Sequence, residues 1–319
     1  MVVVTGANGF IGRAVCAHLG GAGTQVRGLV RTLDGTTAAR AEFMPVGDLT
    51  MIGERALRNA LRGATAVVHL AAHVHQRASD DALAPMRRIN VDVTERIARA
   101  AADAGARHCV FASSIKVNGE VTLPGRPFRE SDPPDPHDDY AATKWEAEQA
   151  LAAAAKETGM RITALRLPLT YGPGVKGNLA ALARAIRAGV PLPLAGIRNR
   201  RSVLGVANCG AAICALLASE DASDCGRMVP YLLADAEPVS TPDLVRAMAA
   251  ALGVKPRLFP ISPGMLRFAG ACIARAPAVE RLVGSLEVDI TAFRTRFDWA
   301  PPFPFADGLA AALRGTPPL

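Results

Sequence analysis

The chain has 319 residues, of which 50% are hydrophobic and 5% aromatic, so it can bury the core of one large or two small domains built mainly from Ala, Val, Leu and Ile. Its 36 basic and 29 acidic residues give a formal net charge of +7, which suits an anionic ligand, but they form no concentrated block and we expect no nucleic-acid partner. Six scattered cysteines without a Cys-x-x-Cys pair argue against zinc and against a disulfide framework. With neither a secretory leader nor an apolar run of the roughly 20 residues that a span needs, we expect a cytoplasmic protein with no membrane partner.

The chain opens with a strand, a glycine turn and a helix. Met1–Val4 is a short apolar run, and a helical pattern extends from Arg13 to Leu19. Between them, Thr5-Gly6-Ala7-Asn8-Gly9-Phe10-Ile11-Gly12 supplies glycines for a tight turn that approaches a pyrophosphate, which the N–H groups of the helix N-terminus can bind. The spacing differs from G-x-G-x-x-G and resembles the T-G-x-x-G-x-x-G turn of the short-chain dehydrogenase/reductase superfamily.

Strand and helix patterns then alternate along the N-terminal half of the chain. Apolar runs predict strands at Gln25–Val30, Ala66–Leu70, His108–Ala112 and Arg161–Leu165, and helical patterns predict helices at Ile52–Leu61, Pro85–Ala104 and Tyr140–Thr158. This alternation predicts an α/β fold with a doubly wound parallel sheet. We expect a Rossmann-type domain at residues 1–167, to which 202–220 returns. Residues 168–201 and 221–319, which are irregular and proline-rich, would form a smaller C-terminal substrate-binding lobe.

One pair of residues in the third predicted helix points to acid/base chemistry. Tyr140 and Lys144 are four residues apart, so a helix brings the ammonium and the phenol to the same face. A tyrosine in water has a pKa of about 10, and a neighbouring cation favours the anionic form. Tyr140 is therefore a candidate proton donor or acceptor near neutral pH.

Further short motifs follow one another in a characteristic order. They are Gly47-Asp48-Leu49, His69-Leu70-Ala71-Ala72, Phe111-Ala112-Ser113-Ser114, Tyr171-Gly172-Pro173-Gly174 and Trp299-Ala300-Pro301. With the glycine turn and the Tyr-x-x-x-Lys pair, they resemble the extended short-chain dehydrogenases of the NAD-dependent epimerase/dehydratase family over nearly the whole chain. Segments 113–120 and 174–178 especially resemble nucleotide-sugar 4-epimerases and 4-ketoreductases of bacterial surface-polysaccharide pathways such as O-antigen (lipopolysaccharide) biosynthesis.

The resemblance implies a role for each matching residue. Ser114 would hydrogen-bond the sugar O4, Tyr140 would be the acid/base, and Lys144 would hold the nicotinamide ribose and lower the pKa of the tyrosine. The implied cofactor-binding residues are Gly6, Asn8, Gly9, Phe10, Ile11, Gly12, Arg31, Asp48, Leu49, Leu70, Ala71, Ala72, Tyr140 and Lys144. The implied substrate-binding residues are Ser114, Lys116, Asn178 and Arg201. Ser113 is expected to be structural.

The residues after Ser114 narrow the reaction. In the 4,6-dehydratases of the family an Asp-Glu pair follows the catalytic residue, but here Ile115 and Lys116 stand there, so we do not expect dehydration. Ile115 also replaces the cysteine of the fucose-pathway epimerase-reductases. Two reactions remain: reduction of a nucleotide-linked 4-keto-6-deoxyhexose, which we favour, and 4-epimerisation of UDP-glucose or UDP-N-acetylglucosamine. A non-catalytic NADP(H)-binding sensor is the third alternative, although such proteins typically lose the Tyr–Lys pair.

The cofactor preference depends on the end of the second predicted strand. NAD-dependent members usually place an acidic residue there, which binds the ribose hydroxyls. In this chain the strand ends in Val30-Arg31, and the next acidic residue is Asp34. A guanidinium suits a 2′-phosphate, so we favour NADP(H), with NAD(H) as the alternative. This preference also favours the reductase.

Two further expectations concern metals and assembly. His73-x-His75 has no clustered acidic or cysteine partner in the sequence, so we expect no metal site. Members of the family commonly dimerise through two helices from each subunit, here the helix after Pro85 and the one with Tyr140. A homodimer is therefore what the resemblance implies.

Overall fold

A parallel sheet forms the centre of the computed structural model, which describes residues 1–33, 41–74, 83–219 and 223–314. The strands are β1 (Val2–Thr5), β2 (Val26–Val30), β3 (Ala41–Pro45), β4 (Ala66–His69), β5 (His108–Ser114), β6 (Arg161–Leu167), β7 (Leu169–Tyr171), β8 (Val203–Gly205) and β9 (Met228–Leu232). Seven of them pair in the order β3-β2-β1-β4-β5-β6-β9, all parallel, while β7 and β8 pair separately. The predicted Rossmann-type doubly wound sheet is confirmed.

The helices lie between the strands, as the alternation predicts. They are α1 (Phe10–Gly21), α2 (Glu54–Leu61), α3 (Leu83–Arg87), α4 (Val93–Asp103), α5 (Asp139–Thr158), α6 (Gly177–Arg187), α7 (Val206–Ala218), α8 (Thr241–Leu252), α9 (Pro263–Cys272), α10 (Ala276–Val283), α11 (Thr291–Phe297) and α12 (Phe305–Arg314). A π-helical segment, Arg88–Asp92, interrupts the helix predicted at 85–104, and a 3₁₀ turn, Ile115–Val117, follows β5. Asp138 caps α5 by accepting the Ala141 N–H at 2.8 Å, and Gly159 ends it at φ +73°.

Each face of the sheet has its own apolar core. Successive residues of a strand point to opposite faces, so Val2 and Val4 join one core and Val3 the other. Helices α1 and α7 cover the first face, where Val15 and Ile213 are fully or almost fully buried. Helices α2, α4 and α5 cover the second face. Buried on both sides, the strands read as continuous apolar runs rather than alternating ones.

The segments after β6 divide between the sheet and a third core. Helix α7 packs against α1, so most of segment 202–220 lies on the main sheet. Helices α6, α8 and α12 pack around the third core, in which Leu179, Met248 and Leu309 are buried. The sequence did not predict β9, which joins the edge of the main sheet from within the range 221–319. Its Pro230 removes a hydrogen-bond donor and obscures the strand pattern, but an edge strand tolerates proline.

Candidate active site

The predicted site residues come mainly from segments at the carboxyl ends of parallel strands. Thr5 ends β1, His69 ends β4 and Ser114 ends β5, and because these strands are parallel their ends lie at one edge of the sheet. The strand order reverses at β1 and β4, and such a reversal opens a crevice that binds ligands in sheets of this kind. The side chain of Lys144 reaches this edge from α5, because its Nζ donates to the Ala112 carbonyl oxygen at 2.8 Å.

The glycine turn after β1 packs backbone against backbone. Gly6 has φ +64°, and a Cβ added there would come within 2.9 Å of the Ala71 nitrogen. A Cβ on Gly12 would come within 2.2 Å of the Gly6 oxygen, and one on Gly9 within 2.9 Å of the same atom. Side chains at these positions would push the start of α1, with Phe10 and Ile11, away from the glycine turn that follows β1. The helix begins after Gly9 with no side-chain cap, so its first N–H groups are available to an anion such as a dinucleotide pyrophosphate.

Arg31 and Asp48 lie near each other beyond the ends of β2 and β3. Both residues are exposed. The Thr50 N–H and hydroxyl donate to Asp48 Oδ1 at 2.9 and 2.8 Å, and these bonds, together with the positive charge of Arg31, lower the pKa of the Asp48 carboxyl. The adjacent Leu49 packs against the core under α2 and α4. Asp34, the next acidic residue after Arg31 in the sequence, lies outside the described residues.

Beneath the predicted cofactor segment Leu70–Ala72, a chain of hydrogen bonds joins β1 to β4. The N–H groups of Leu70 and Ala71 donate to Thr5 Oγ1 at 3.2 and 3.3 Å, and this oxygen lies 2.7 Å from His69 Nδ1. The other ring nitrogen, Nε2, lies 3.0 Å from Thr94 Oγ1. Burial lowers the pKa of His69 to about 3, so the ring is neutral. These bonds fix the loop that follows β4 at the edge of the sheet.

Tyr140 and Lys144 face the same side of α5, but burial dominates their titration. Lys144 is 1% exposed, with Nζ 4.4 Å from the centre of the Phe111 ring and 5.9 Å from that of Tyr140. Burial lowers the pKa of Lys144 to about 7, although the Glu148 carboxylate opposes the shift. Burial of the phenol, reinforced by the negative charge of Asp138, raises the pKa of Tyr140 to about 12.

The pKa of Tyr140 corrects one expectation drawn from the sequence. The helical spacing led us to expect a phenol with a lowered pKa, and the structure gives a raised one, because desolvation and a nearby carboxylate both favour the neutral form. At neutral pH, Tyr140 in this arrangement is a protonated phenol. In this state the phenol can donate a proton.

The two serines at the end of β5 have different environments. Ser113 is buried and its hydroxyl donates to Glu148 Oε1 at 2.5 Å, which agrees with a structural role. Ser114, 7% exposed, accepts the Lys116 N–H at 3.3 Å and so caps the 3₁₀ turn. A hydroxyl oxygen that accepts one bond still has its own proton to donate. Ser114 can therefore both cap the turn and bind a ligand oxygen.

Behind these serines lies a buried ion pair that the sequence did not reveal. Arg166 donates from Nε and Nη2 to the two oxygens of Glu148 at 3.0 and 2.7 Å, and from Nη1 to Asn118 Oδ1 at 2.9 Å. Glu148 lies one helical turn after Lys144 and two after Tyr140, on the same face of α5. The pair ties α5 to the ends of β5 and β6, and so fixes the position of the Tyr–Lys face.

Lys116, predicted to bind substrate, forms two ion pairs. Its Nζ contacts Glu120 Oε1 at 2.6 Å and also Asp138 Oδ2. Burial alone would lower the pKa of Lys116, but these two carboxylates raise it overall. The structure thus ties Lys116 to the residue that caps the Tyr140 helix.

Arg201 lies between the chain segments that contain Val239 and Gly284. It is partly buried, its Nη1 donates to the Gly284 carbonyl oxygen at 2.9 Å, and its backbone pairs with Val239. Burial lowers the pKa of Arg201, and the positive charge of Arg281 lowers it further. The two neighbouring guanidinium groups attract an anion, although the carboxylates of Glu120 and Glu280 are also close enough to raise the pKa of Arg201. Spacing in the sequence gave no sign of Arg281. Asn178 is exposed in the first turn of α6.

A buried asparagine links the loop after β4 to helix α5, which carries Tyr140. Asn90 accepts the His73 N–H at 2.8 Å, and its Nδ2 lies 3.1 Å from both the His73 oxygen and Thr143 Oγ1. Thr143 in turn donates to the Tyr140 carbonyl oxygen at 3.0 Å. Asn90 belongs to the π-helical segment, a type of irregularity that is frequent at functional sites. A helical pattern alone could not distinguish it from a surface asparagine.

Across the described residues, no group of three or more His, Cys, Asp or Glu side chains is placed to hold a metal ion. His73 uses its backbone groups to bind Asn90. His75, the other member of the His-x-His pair, lies outside the described residues.

Comparison with known proteins agrees with this geometry. The model of the NAD dependent epimerase/dehydratase family matches residues 2–230. A UDP-glucose 4-epimerase of Vibrio cholerae is 34% identical over 315 residues, covering 96% of this chain and 92% of the relative. A ceramide reductase of Caulobacter vibrioides is 29% identical over 324 residues, covering 97% of this chain and 89% of the relative.

One solved structure relates the whole chain to a ligand-bound protein. MoeE5 in complex with UDP-glucuronic acid and NAD is 25% identical and superimposes with a TM-score of 0.77, covering 98% of both chains. The similarity extends over nearly the whole length of both chains.

Proposed function

This chain belongs to the NAD-dependent epimerase/dehydratase family, and from that premise we propose that it acts at C4 of a nucleotide-linked hexose, as a reductase of a 4-keto-6-deoxyhexose. The observation that carries the proposal is the neutral Tyr140 phenol on the same face of α5 as Lys144, whose Nζ reaches β5 near the end that Ser114 forms. Reduction of a ketone needs a proton donor at the carbonyl oxygen, and a neutral phenol supplies that proton. Synthesis of a bacterial surface polysaccharide such as O-antigen is the setting we propose.

The residues that would hold the cofactor line the edge from β2 to β5. The glycine turn and the first N–H groups of α1 would bind the pyrophosphate, Lys144 would hold the nicotinamide ribose, and Leu70–Ala72 would lie under the ring. The cofactor supplies the hydride. Arg31, exposed at the end of β2, would pair with a 2′-phosphate, so we propose NADP(H) as the preferred form.

The nucleotide sugar would bind between this edge and the C-terminal lobe, which we propose consists of residues 168–201 and 221–319. Arg201 and Arg281 together would neutralise the diphosphate, with Asn178 at the N-terminus of α6 as a further contact. Lys116 would act mainly by holding Asp138, and through it the start of the Tyr140 helix.

In the proposed reduction, the chain's own groups handle one proton. The Ser114 hydroxyl and the Tyr140 phenol would both donate hydrogen bonds to the C4 carbonyl oxygen. As negative charge develops on that oxygen, the Tyr140 proton moves to it and completes the alcohol. The Lys144 ammonium, 5.9 Å from the ring centre, would stabilise the resulting tyrosinate. Proton return from solvent then restores the phenol.

The second candidate is a 4-epimerase, which oxidises C4 and returns hydride to the other face. The observation that favours it is the 34% identity to the Vibrio cholerae UDP-glucose 4-epimerase. An epimerase would need Tyr140 as tyrosinate in its first half-reaction, so the raised pKa of the phenol is unfavourable for it. A non-catalytic NADP(H)-binding sensor is the third candidate. The presence of Ser114, Tyr140 and Lys144 together argues against it.

The test is to mix the protein with NADPH and a nucleotide-linked 4-keto-6-deoxyhexose and to follow the nicotinamide absorbance. Loss of absorbance equal to the sugar added supports the reductase. Flat absorbance, with UDP-glucose and UDP-galactose or their N-acetyl forms interconverting without added cofactor, supports the epimerase instead. NADPH binding without either reaction supports the sensor.

A variant of Arg31 tests the cofactor preference separately. Arg31→Asp should weaken NADPH binding by about tenfold or more while NADH binding holds or improves, because a charge-assisted bond to the 2′-phosphate is lost. The matched control is Arg55→Asp on α2, another exposed arginine. Equal affinity of the wild-type protein for NADPH and NADH would contradict the assignment.

We also propose the homodimer common in the family, in which α4 and α5 would form the interface. Sedimentation equilibrium of the purified chain would measure its mass directly. A monomer at micromolar concentration would contradict this proposal.

A further inference from the structure

The outer face of α9 carries apolar side chains where a surface helix ordinarily carries polar ones. Met265 is 64% exposed, Phe268 73% and Ile273 69%. Ala269 and Cys272, also exposed, complete the positions i, i+3, i+4, i+7 and i+8 of one helical face. Isolated exposed apolar residues are ordinary, but a contiguous set at helical spacing indicates a binding surface.

The other side of the same helix is held against α10, so the apolar outer face belongs to a fixed unit. Helix α10 packs against α9, and Gly270 is buried where the two meet, since a Cβ there would come within 2.5 Å of Val279 Cγ2. Arg267 makes two hydrogen bonds to the Glu280 carboxylate at 2.8 and 3.0 Å. Helices α9 and α10, which we call the α9–α10 hairpin, are therefore held as one unit that presents its apolar face outward.

The sequence on both sides of this face is rich in basic residues. Residues 255–281 contain five basic side chains, Lys255, Arg257, Arg267, Arg275 and Arg281, and one acidic one, Glu280. The formal charge of the segment is thus five minus one, or +4, out of +7 for the whole chain. Arg267 is the basic residue that pairs with Glu280. The other four basic residues, Lys255, Arg257, Arg275 and Arg281, are exposed.

We propose that the α9–α10 hairpin docks the protein on an anionic lipid bilayer. Met265, Phe268 and Ile273 insert at the boundary between headgroups and acyl chains, and the basic side chains contact the lipid phosphates. A second copy of this chain is the less suitable occupant, because pairing the hairpin with itself would bring two +4 segments together.

Such docking needs no membrane span. Helix α9 has ten residues and is about 15 Å long, half of the hydrocarbon thickness. None of the helices in the described ranges is both long and apolar enough to cross a bilayer. The absence of a long apolar run excludes a span of the membrane, but it does not exclude a helix that lies in the plane of the interface.

The docking surface adjoins the proposed substrate site. Arg281, at the end of the hairpin, is close enough to Arg201 and to Asp138 for its charge to lower the pKa of each. Docking would therefore hold the diphosphate end of the site near the bilayer surface. The proposal does not depend on which C4 reaction the site performs.

Vesicle co-sedimentation tests the proposal directly. The full-length protein is mixed with vesicles of phosphatidylglycerol and phosphatidylethanolamine, or of phosphatidylcholine alone, and we expect binding to the first that weakens as salt is raised. The triple variant Met265→Ser/Phe268→Ser/Ile273→Ser should bind the anionic vesicles at least about tenfold more weakly, because its inserted apolar surface is gone. Met51→Ser, an exposed apolar residue (79%) outside the hairpin, is the matched control and should bind as the wild type does.

A second variant tests the contribution of charge, and it keeps the proposal testable if the triple variant does not fold. Lys255→Glu/Arg275→Glu keeps the apolar face and should also lose binding to anionic vesicles, while far-UV circular dichroism stays unchanged. The proposal is overturned if the wild-type protein does not sediment with anionic vesicles, or if the triple variant and Met51→Ser bind equally well. One further result also overturns it: the wild type binds no vesicles, and the triple variant has a lower mass than the wild type in light scattering. The apolar face would then be an interface between two copies of this chain.

Discussion

Replacing Glu148 by Gln should cost about 3 kcal/mol in the free energy of unfolding, the lower end of the cost of breaking a buried ion pair. The side chain of Glu148 is 0% exposed and that of Arg166 3%. Gln has the shape of Glu without its charge, so Arg166 would remain buried with no counter-charge. An amide oxygen in the place of Glu148 Oε1 can still accept two of the three hydrogen bonds that Glu148 receives, those from the Ser113 hydroxyl and from Arg166 Nε, which keeps the loss at the lower end.

Urea unfolding followed by far-UV circular dichroism gives the free energy of unfolding from the midpoint and the slope. The matched control is Glu54→Gln on α2, where Glu54 pairs with Arg58 at 3.4 Å and the two side chains are 81% and 55% exposed. A solvated pair of this kind contributes about 0–1 kcal/mol, so the control should lose less than about 1 kcal/mol.

A loss below about 1 kcal/mol for Glu148→Gln would refute the reasoning, because it would mean that water or a neighbouring group replaces the lost charge at little cost. The same variant removes the carboxylate that opposes the fall of the Lys144 pKa. Glu148→Gln should therefore also increase the fraction of neutral Lys144 at pH 7 and lower turnover in the protein that remains folded.

Three further predictions concern the site and its pH dependence. Tyr140→Phe should lower kcat at least about 100-fold while leaving the Kd for NADPH within about threefold, since only the proton donor is lost, and substantial residual turnover would remove Tyr140 from that role. Asp138→Asn keeps a helix-capping side chain but removes a charge that raises the pKa of Tyr140, so the phenol should ionise at lower pH; the tyrosinate absorbance that Tyr140→Phe removes measures this ionisation, and an unmoved titration would count against the effect of Asp138. Burial gives both His69 and His108 a folded pKa of about 3, below their usual 6.5. Between these values the unfolded chain binds protons that the folded one does not, so each histidine should lower the free energy of unfolding by about 1.4 kcal/mol per pH unit as pH falls. Urea titrations at several pH values, with His108→Gln as the variant that should show a shallower dependence, measure this loss.

The sheet could be predicted from the sequence because its signals are local. An apolar run, a glycine turn and a helical pattern lie within twenty residues at the N-terminus, and the positive φ of Gly6 shows why glycine is needed there. The strands predicted at 25–30, 66–70, 108–112 and 161–165 correspond to β2, β4, β5 and β6, with bounds that differ by one or two residues. Strand β9 escaped prediction, because it contains a proline and pairs with β6 across more than sixty residues of chain.

The surroundings of the site could not be predicted, because they depend on contacts between distant segments. Asn90 lies 53 residues from its partner Thr143, and Arg166 lies 48 residues from Asn118. The partners of Lys116 are Glu120 and Asp138, and only folding brings Asp138 close enough to compete with a substrate for that ammonium. The pKa of Tyr140 likewise depends on burial, which spacing along a helix does not reveal.

The adjacent serines of β5 also limit how the length of this strand can change. Because neighbouring residues of a strand point to opposite faces, Ser113 meets the Glu148–Arg166 pair while Ser114 caps the turn at the sheet edge. Inserting or deleting one residue within β5 would exchange the two faces, removing a hydroxyl from the ion pair and moving the apolar residues of the strand to the wrong cores. Insertions and deletions in this region should therefore be tolerated only in the loop before His108 or beyond Val117, where they leave this alternation intact.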